Sequence, residues 1–264
     1  MSKNSELLYK ISDLTFAVSG KIILKKINFN LKKNDYLAII GPNGAGKTTL
    51  LKCLVGIYPC HRKQIAFNTV PLADIKRKEL AQKVAYVPQN DGRRLPFTVS
   101  EFVMLARYPH LSPFTSYSAT DKAIVYEALE AVGISRLHNR RLITLSGGER
   151  QMVLIAAALA QQAQVILFDE PTAFLDPKYE SAIYEIIDKI HADGKTIVMV
   201  THDINAAILR STRVLILKEG KSVFDGSPQF ITASDILDRV YEKSFAFIKH
   251  PNSGKMIVVS GALA

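Results

Sequence analysis

The sequence predicts an α/β protein with a mostly parallel sheet, an antiparallel β subdomain and an inserted helical subdomain. Three observations carry this. Short apolar runs alternate with helical patterns. A period-2 stretch fills the first forty residues. From Gln89 to about Gln164 the buried-strand signal gives way to helical periodicity.

Along the chain, "TFAVSGKIILKKINFNL" alternates polar and apolar positions around Ser19-Gly20, as an antiparallel hairpin does. "YLAII" (36–40), "KVAYV" (83–87), "VILFD" (165–169), "TIVMV" (196–200) and "RVLIL" (213–217) read as strands covered on both faces, the pattern of a parallel sheet. Thr98 and Glu101 form a T-x-x-E capping box that opens the helical insertion, about residues 95–164. After Asp176-Pro177 a helix places Ile183, Ile186, Ile187 and Ile190 on one face and stops at Gly194. "LKEGKSVFDG" reads as a second hairpin. The reading is one domain over 1–245 followed by a short extension, 246–264.

Composition narrows the classes. The 264 residues are 48% apolar and 22% charged, an ordinary globular balance that excludes a mainly disordered chain. The longest apolar run, Met152 to Ala160, is far below the ~20 residues of a membrane-spanning helix. The amino terminus lacks the apolar core of a secretory signal, so the expected compartment is cytosolic. Cys53 and Cys60 are too few for a disulfide framework, and no Cys/His pair has zinc spacing. The net charge of +10 points to an anionic partner without choosing among nucleotide, nucleic acid and phospholipid. Its basic residues are not grouped in aromatic-interleaved blocks, so nucleic acid is not the expected partner.

The chemistry begins at Gly41-Pro42-Asn43-Gly44-Ala45-Gly46-Lys47-Thr48-Thr49, a G-x-x-x-x-G-K-[ST] loop between a strand and a helix, which defines a P-loop NTPase core. Its glycines let successive N–H groups wrap the phosphates of ATP. Lys47 reaches the β/γ oxygens, and Thr48 offers its hydroxyl to Mg²⁺. "VILFDEP" then delivers two carboxylates at a strand end. Asp169 suits the Mg²⁺ shell, and Glu170 suits the general base that polarises the attacking water. Gln89 can contact both the metal and the water, and His202 can hydrogen-bond a γ-phosphate oxygen.

A second glycine turn, Leu145-Ser146-Gly147-Gly148-Glu149-Arg150-Gln151, opens another helix and offers a hydroxyl, amides and a helix dipole to an anion. One phosphate chain does not need two such cradles from a single subunit. The second therefore predicts a head-to-tail, two-fold homodimer in which each Ser146 loop covers ATP on the other copy.

In this order, "GPNGAGKTT", Gln89, "LSGGERQ", "VILFDEP", Leu175-Asp176 and His202 resemble the nucleotide-binding subunit of ATP-binding cassette transporters over roughly residues 10–245. The resemblance implies that ATP closes the dimer, hydrolysis reopens it, Asp176 lies at the dimer seam, and two transmembrane permease subunits are driven from the cytoplasmic face of the inner membrane. "PFTVSEFVMLARYPHLSPF" is further similar to ATPases of importers for ferric siderophores, haem and cobalamin. There Arg107, Tyr108 and Pro109 would line a groove for a permease helix, and a substrate-binding protein would hold the cargo, which never touches this chain. Alternatives are import of another metal ion or oxyanion, an exporter ATPase, and a soluble cassette ATPase acting on nucleic acid. The chain departs from the family at Val18, where an adenine-stacking aromatic is common and for which Phe16 is the substitute. It departs also at Met152 and Ala157, where basic residues are common.

Overall fold

The structure, a computed structural model, describes residues 6–89, 95–251 and 254–261. These residues form two compact units, one from residues up to 75 and from 196 onward, the other spanning 76–195. The first unit begins with β1 (Leu7–Val18), β2 (Lys21–Lys32), β3 (Tyr36–Ile40), α1 (Lys47–Leu54), β4 (Ile65–Phe67) and β5 (Val70–Pro71). The second holds α2 (Arg77–Lys83), β6 (Val84–Val87), α3 (Val99–Leu105), α4 (Ala119–Ala131), α5 (Gly147–Ala160), β7 (Val165–Asp169) and α6 (Pro177–Ala192). The chain then completes the first unit with β8 (Thr196–Val200), α7 (Ile204–Arg210), β9 (Arg213–Lys218), β10 (Lys221–Gly226), α8 (Pro228–Thr232), α9 (Ile236–Tyr241), β11 (Phe245–Lys249) and β12 (Met256–Ser260).

In the first unit, β1 and β2 form the expected hairpin. Ser19 and Gly20 both have positive φ, the backbone that a tight hairpin turn requires. β4 adds antiparallel to β1, and β5 to β4. The Tyr9 hydroxyl donates to the Leu54 carbonyl at 2.9 Å, and so ties this antiparallel layer to the end of α1. The Tyr9 ring also meets Phe67 edge-on at 4.8 Å.

β3 is buried along its whole length and lies between β9 and β8, parallel to both, which is why its sequence is uninterrupted by polar residues. β10 closes antiparallel on β9, as the "LKEGKSVFDG" pattern predicts. Over this sheet, Ala207, Ile231, Leu237, Val240 and Val258 join Ala38, Ile40, Val214 and Ile216 in one apolar core. Residues 245–260 therefore contain a folded hairpin, β11 on β12. The Asn205 side chain fastens it by donating to the Val258 carbonyl at 2.9 Å and accepting from its N–H at 2.7 Å.

In the second unit, β6 and β7 run parallel. α3, α4 and α5 pack on one another, and each begins with a complete capping box: Thr98 with Glu101, Ser118 with Asp121, Ser146 with Glu149. α6 is capped by Asp176, which accepts from the N–H groups of Lys178 and Tyr179. Its inner face is Ile183, Tyr184, Ile187 and Ile190. Ile186 is only half-buried, and Tyr184 takes the inner position because its hydroxyl is met by Thr172 Oγ1 at 3.2 Å.

The expectation for Arg107 and Pro109 is corrected here. Arg107 is 5% exposed and works inside the unit. Its Nε donates to Asp121 Oδ1 at 2.9 Å, and its Nη1 donates to the Ala160 carbonyl at 2.7 Å and to Gln162 Oε1 at 3.0 Å. A guanidinium so committed joins α4 to the end of α5 and cannot line a surface groove. Pro109 is also buried, its carbonyl accepting from Gln82 Nε2 at 2.7 Å. Tyr108 alone of the three stands out, 66% exposed.

The Ser118 side chain and N–H, then Arg107, hold the Asp121 carboxyl down to about 2. A depressed carboxyl stabilises the fold above its ordinary value near 3.8, and that contribution fades as pH falls through the folded value of about 2. Asp121→Ala leaves the Arg107 charge buried without its counterion, so at pH 7 it is expected to cost about 3–5 kcal/mol by urea denaturation. The deficit relative to wild type should narrow between pH 5 and pH 2.

Candidate functional site

The residues that the sequence assigns to nucleotide chemistry fall in both units. In the first, β3 runs directly into residues 41–46, and its parallel neighbour β9 passes so close that a Cβ on Gly41 would lie 2.0 Å from the Leu217 carbonyl oxygen. With φ of +145° as well, only glycine serves there. The loop ends at Gly46, and α1 begins with no side-chain cap and no acid in its first turn. α3 to α7 are each capped by a side chain, from Thr98, Ser118, Ser146, Asp176 and Asp203 in turn. α2, α8 and α9 also lack a side-chain cap, so what sets α1 apart is the glycine loop that leads into it, whose amides suit the phosphates of ATP.

Lys47 is 6% exposed, and its ammonium donates to the carbonyls of Gly41 at 2.7 Å and Pro42 at 3.1 Å. It is curled over the loop, held by weakly basic acceptors that phosphate oxygens outcompete. Thr48 and Thr49 are half-buried at the start of the same helix, while Asn43 and Gly44 are exposed and Ala45 is buried. β8 delivers His202 at the same sheet edge: Ile39 pairs with Val200, and the Thr201 N–H donates to the Ile39 carbonyl at 3.2 Å. Sequence reasoning missed Tyr241 of α9. Burial pushes its hydroxyl up to about 12, and the neighbouring Gly41 backbone acts in the opposite direction. Nothing in the α9 pattern announces that contact.

On the hairpin, Val18 is 47% exposed. Phe16 is half-buried and stacked on Tyr58, with ring centroids 4.9 Å apart and planes 14° from parallel. The aromatic substitute expected at Phe16 is thus one half of a pair, with one face already covered.

In the second unit, the parallel register of β6 and β7 sets the carboxylates. Val87 pairs with Phe168, so residues just beyond both strands meet. Gln89 Nε2 donates to Glu170 Oε2 at 3.3 Å. Asp169 is 2% exposed, and the Tyr86 hydroxyl donates to its Oδ2 at 2.8 Å, a partner the sequence reading overlooked. Glu170 has a φ of +48°, a left-handed backbone uncommon for a non-glycine residue, which turns its side chain away from the strand's alternation.

The second glycine turn, residues 145–151, opens α5. Ser146 and Gly147 are exposed and Leu145 is buried at the start of α5. The Ser146 hydroxyl accepts from the Glu149 N–H at 3.2 Å, and Glu149 Oε2 accepts from the Ser146 N–H at 3.0 Å. The capping box thus engages the hydroxyl and the N–H of Ser146 within the chain. Gly148 has a packing reason: a Cβ there would meet the Tyr179 ring at 2.3 Å. Gln151 is 2% exposed, its Nε2 without a hydrogen-bond partner. Met152 is a core residue of α5, and Ala157 is half-buried.

Residues 24–173 match the family model described as ABC transporter. The chain is 33% identical over 248 residues to the iron(3+)-hydroxamate import ATP-binding protein FhuC of Bacillus subtilis (strain 168), covering 94% of this chain and 92% of that one. It is 35% identical over 252 residues to the ABC transporter ATP-binding protein YvrA of the same organism, where it covers 95% of itself but spans only 57% of the relative's length. Among solved structures it superposes with a TM-score of 0.83 and 26% identity on a metal-chelate type ABC transporter in an inward-facing conformation, over 97% of this chain and 98% of the other. With its uncapped phosphate loop, paired carboxylates and Ser-Gly-Gly turn, this chain belongs to the ABC transporter family and has the fold of that family's ATPases.

Proposed function

We propose that this chain is the ATP-hydrolysing subunit of an importer for an iron chelate, a siderophore complex or haem, acting as a homodimer beneath two transmembrane permease subunits on the cytoplasmic face of the membrane. The hydrolytic part is supported above all by the glycine loop that leads from β3 into α1, with the Lys47 ammonium folded over it. The cargo follows from likeness to FhuC along nearly the whole of both chains. No helix among the described residues is long and apolar enough to cross a membrane.

In the proposed reaction, Lys47 leaves the Gly41 and Pro42 carbonyls for the β/γ-phosphate oxygens, and the loop amides hold the phosphates still. Thr48, Asp169 and Gln89 would hold Mg²⁺, which supplies charge neutralisation at the phosphates. Among the described residues there is no cluster of three or more His, Cys, Asp or Glu side chains able to cage a metal. A few oxygen ligands with phosphate completing the shell is how Mg²⁺ is commonly held. Glu170 accepts the proton of the attacking water, and its bond to Gln89 fixes where that water stands. His202 donates to a γ-phosphate oxygen as charge builds there.

Ser146 and Gly147 of the second copy cover the γ-phosphate, with Asp176 at the seam. Closure depends on ATP binding the closed form more tightly, by about 5.5 kcal/mol for near-complete switching. At the permease side Tyr108 remains as the exposed contact, with Leu105 beside it, 46% exposed.

Glu170→Gln keeps the side chain's shape and removes the proton acceptor. Steady-state phosphate release should fall by about 10²- to 10⁴-fold while ATP binding by fluorescence titration is kept; unchanged turnover would take Glu170 out of the base role. Adding Ser146→Arg to that variant should abolish the ATP-dependent dimer seen by size exclusion and leave monomeric ATP binding intact; a persisting dimer would refute the shared cradle. With its permease in proteoliposomes, ATPase activity should rise when binding protein loaded with ferric chelate is added. Stimulation by cobalamin or a free oxyanion alone would reassign the cargo.

A further inference from the structure

Away from the phosphate loop, the first unit holds a cleft of about 480 Å³ lined by Thr15, Ile22, Lys25, Lys26, Lys221 and Ser222. It shares no residue with 41–49 or with His202. Three lysines and two hydroxyls line it, and no carboxylate does. Among the described residues none of the three ammonium groups has a carboxylate oxygen within 4.0 Å, although ion pairs occur elsewhere on this surface, such as Lys33 with Glu6.

Two local devices bring these charges together. In a regular strand Lys25 and Lys26 would point to opposite faces. The β1–β2 ladder slips here: Leu14 pairs with Ile27 but Phe16 pairs with Leu24, so Lys25 and Lys26 together oppose Thr15. Such a bulge re-aims a side chain. Lys26 takes the extra conformation, with φ of +52°, and its N–H donates to Thr15 Oγ1 at 3.2 Å. Both lysines then line one cleft. The Lys25 N–H donates to the Gly220 carbonyl at 2.7 Å, which draws in the β9–β10 turn and sets Lys221 and Ser222 against the same space. Two acids lie two residues from the lining in sequence: Asp13, engaged with Asn28 through both its N–H and its carboxylate, and the exposed Glu219, which is not part of the lining.

Like charges gathered on a bulged backbone repel one another, and a bound dianion turns that repulsion into attraction. We infer that this cleft is a second anion site, taking a small phosphate-bearing ligand larger than a single phosphate, with Lys25, Lys26 and Lys221 on its charges, the Thr15 and Ser222 hydroxyls as donors, and Ile22 as an apolar wall. Its volume lies in the range of small-molecule pockets.

The test is calorimetric titration of pyrophosphate into the full chain already saturated with ADP, without magnesium, so that the phosphate loop is filled. One pyrophosphate per chain is expected. Lys25→Gln and Lys221→Gln should each weaken it about tenfold, Lys221→Arg should retain it, and ADP affinity should stay the same in all three. Binding should weaken as salt is raised. No binding beyond ADP, displacement of ADP, or equal affinity in the Gln variants would overturn the site. So would binding only to phosphatidylglycerol vesicles with none to pyrophosphate, since the cleft would then be part of a membrane-facing surface. If a Gln variant fails to fold by circular dichroism, Thr15→Ala with Ser222→Ala gives the same reading, with loss of pyrophosphate binding expected and retention contradicting the proposal.

Discussion

Much of this molecule depends on one close approach, the Gly41 backbone against the Leu217 carbonyl of β9. That contact exists because β3 is buried on both faces between two parallel neighbours, so its exit is fixed by the sheet. The chain then turns through a glycine loop and enters α1 at Gly46, which has no side chain with which to cap the helix. A cap of the kind used by α3 to α7 would stabilise α1 by about 1 kcal/mol and fill the place where a phosphate must go. The forgone cap is a local cost that the ligand later offsets.

The same currency appears with the opposite sign at α5. Its Ser146–Glu149 capping box satisfies the helix end in the free chain and places a carboxylate where an anion is expected. The amino end of α1 lacks a side-chain cap, whereas that of α5 is capped within the chain.

The parts of this design legible in sequence were those set by local pattern. Period-2 alternation predicted β1–β2, and five apolar runs predicted β3, β6, β7, β8 and β9. Thr98 with Glu101 and Asp176 with Pro177 predicted helix starts that the structure contains. What sequence hid were choices made by tertiary contacts. Arg107 reads as a surface cation in a loop, and only Asp121 and the end of α5, fourteen and fifty-three residues away, show that it is buried. Tyr86 and Tyr179 carry no motif, yet one donates to Asp169 and the other enforces Gly148. The bulge that sends Lys25 and Lys26 to one side violates the alternation by which the strand was recognised.

The most direct test of the central account is a crystal structure of the Glu170→Gln chain with ATP and Mg²⁺. Lys47 Nζ should be withdrawn from the Gly41 and Pro42 carbonyls onto the β/γ oxygens, with the Ser146–Gly147 turn of a second copy against the same γ-phosphate. Nucleotide bound with Lys47 still on those carbonyls, or with every Ser146 remote from every γ-phosphate in the ATP-bound dimer, would contradict it.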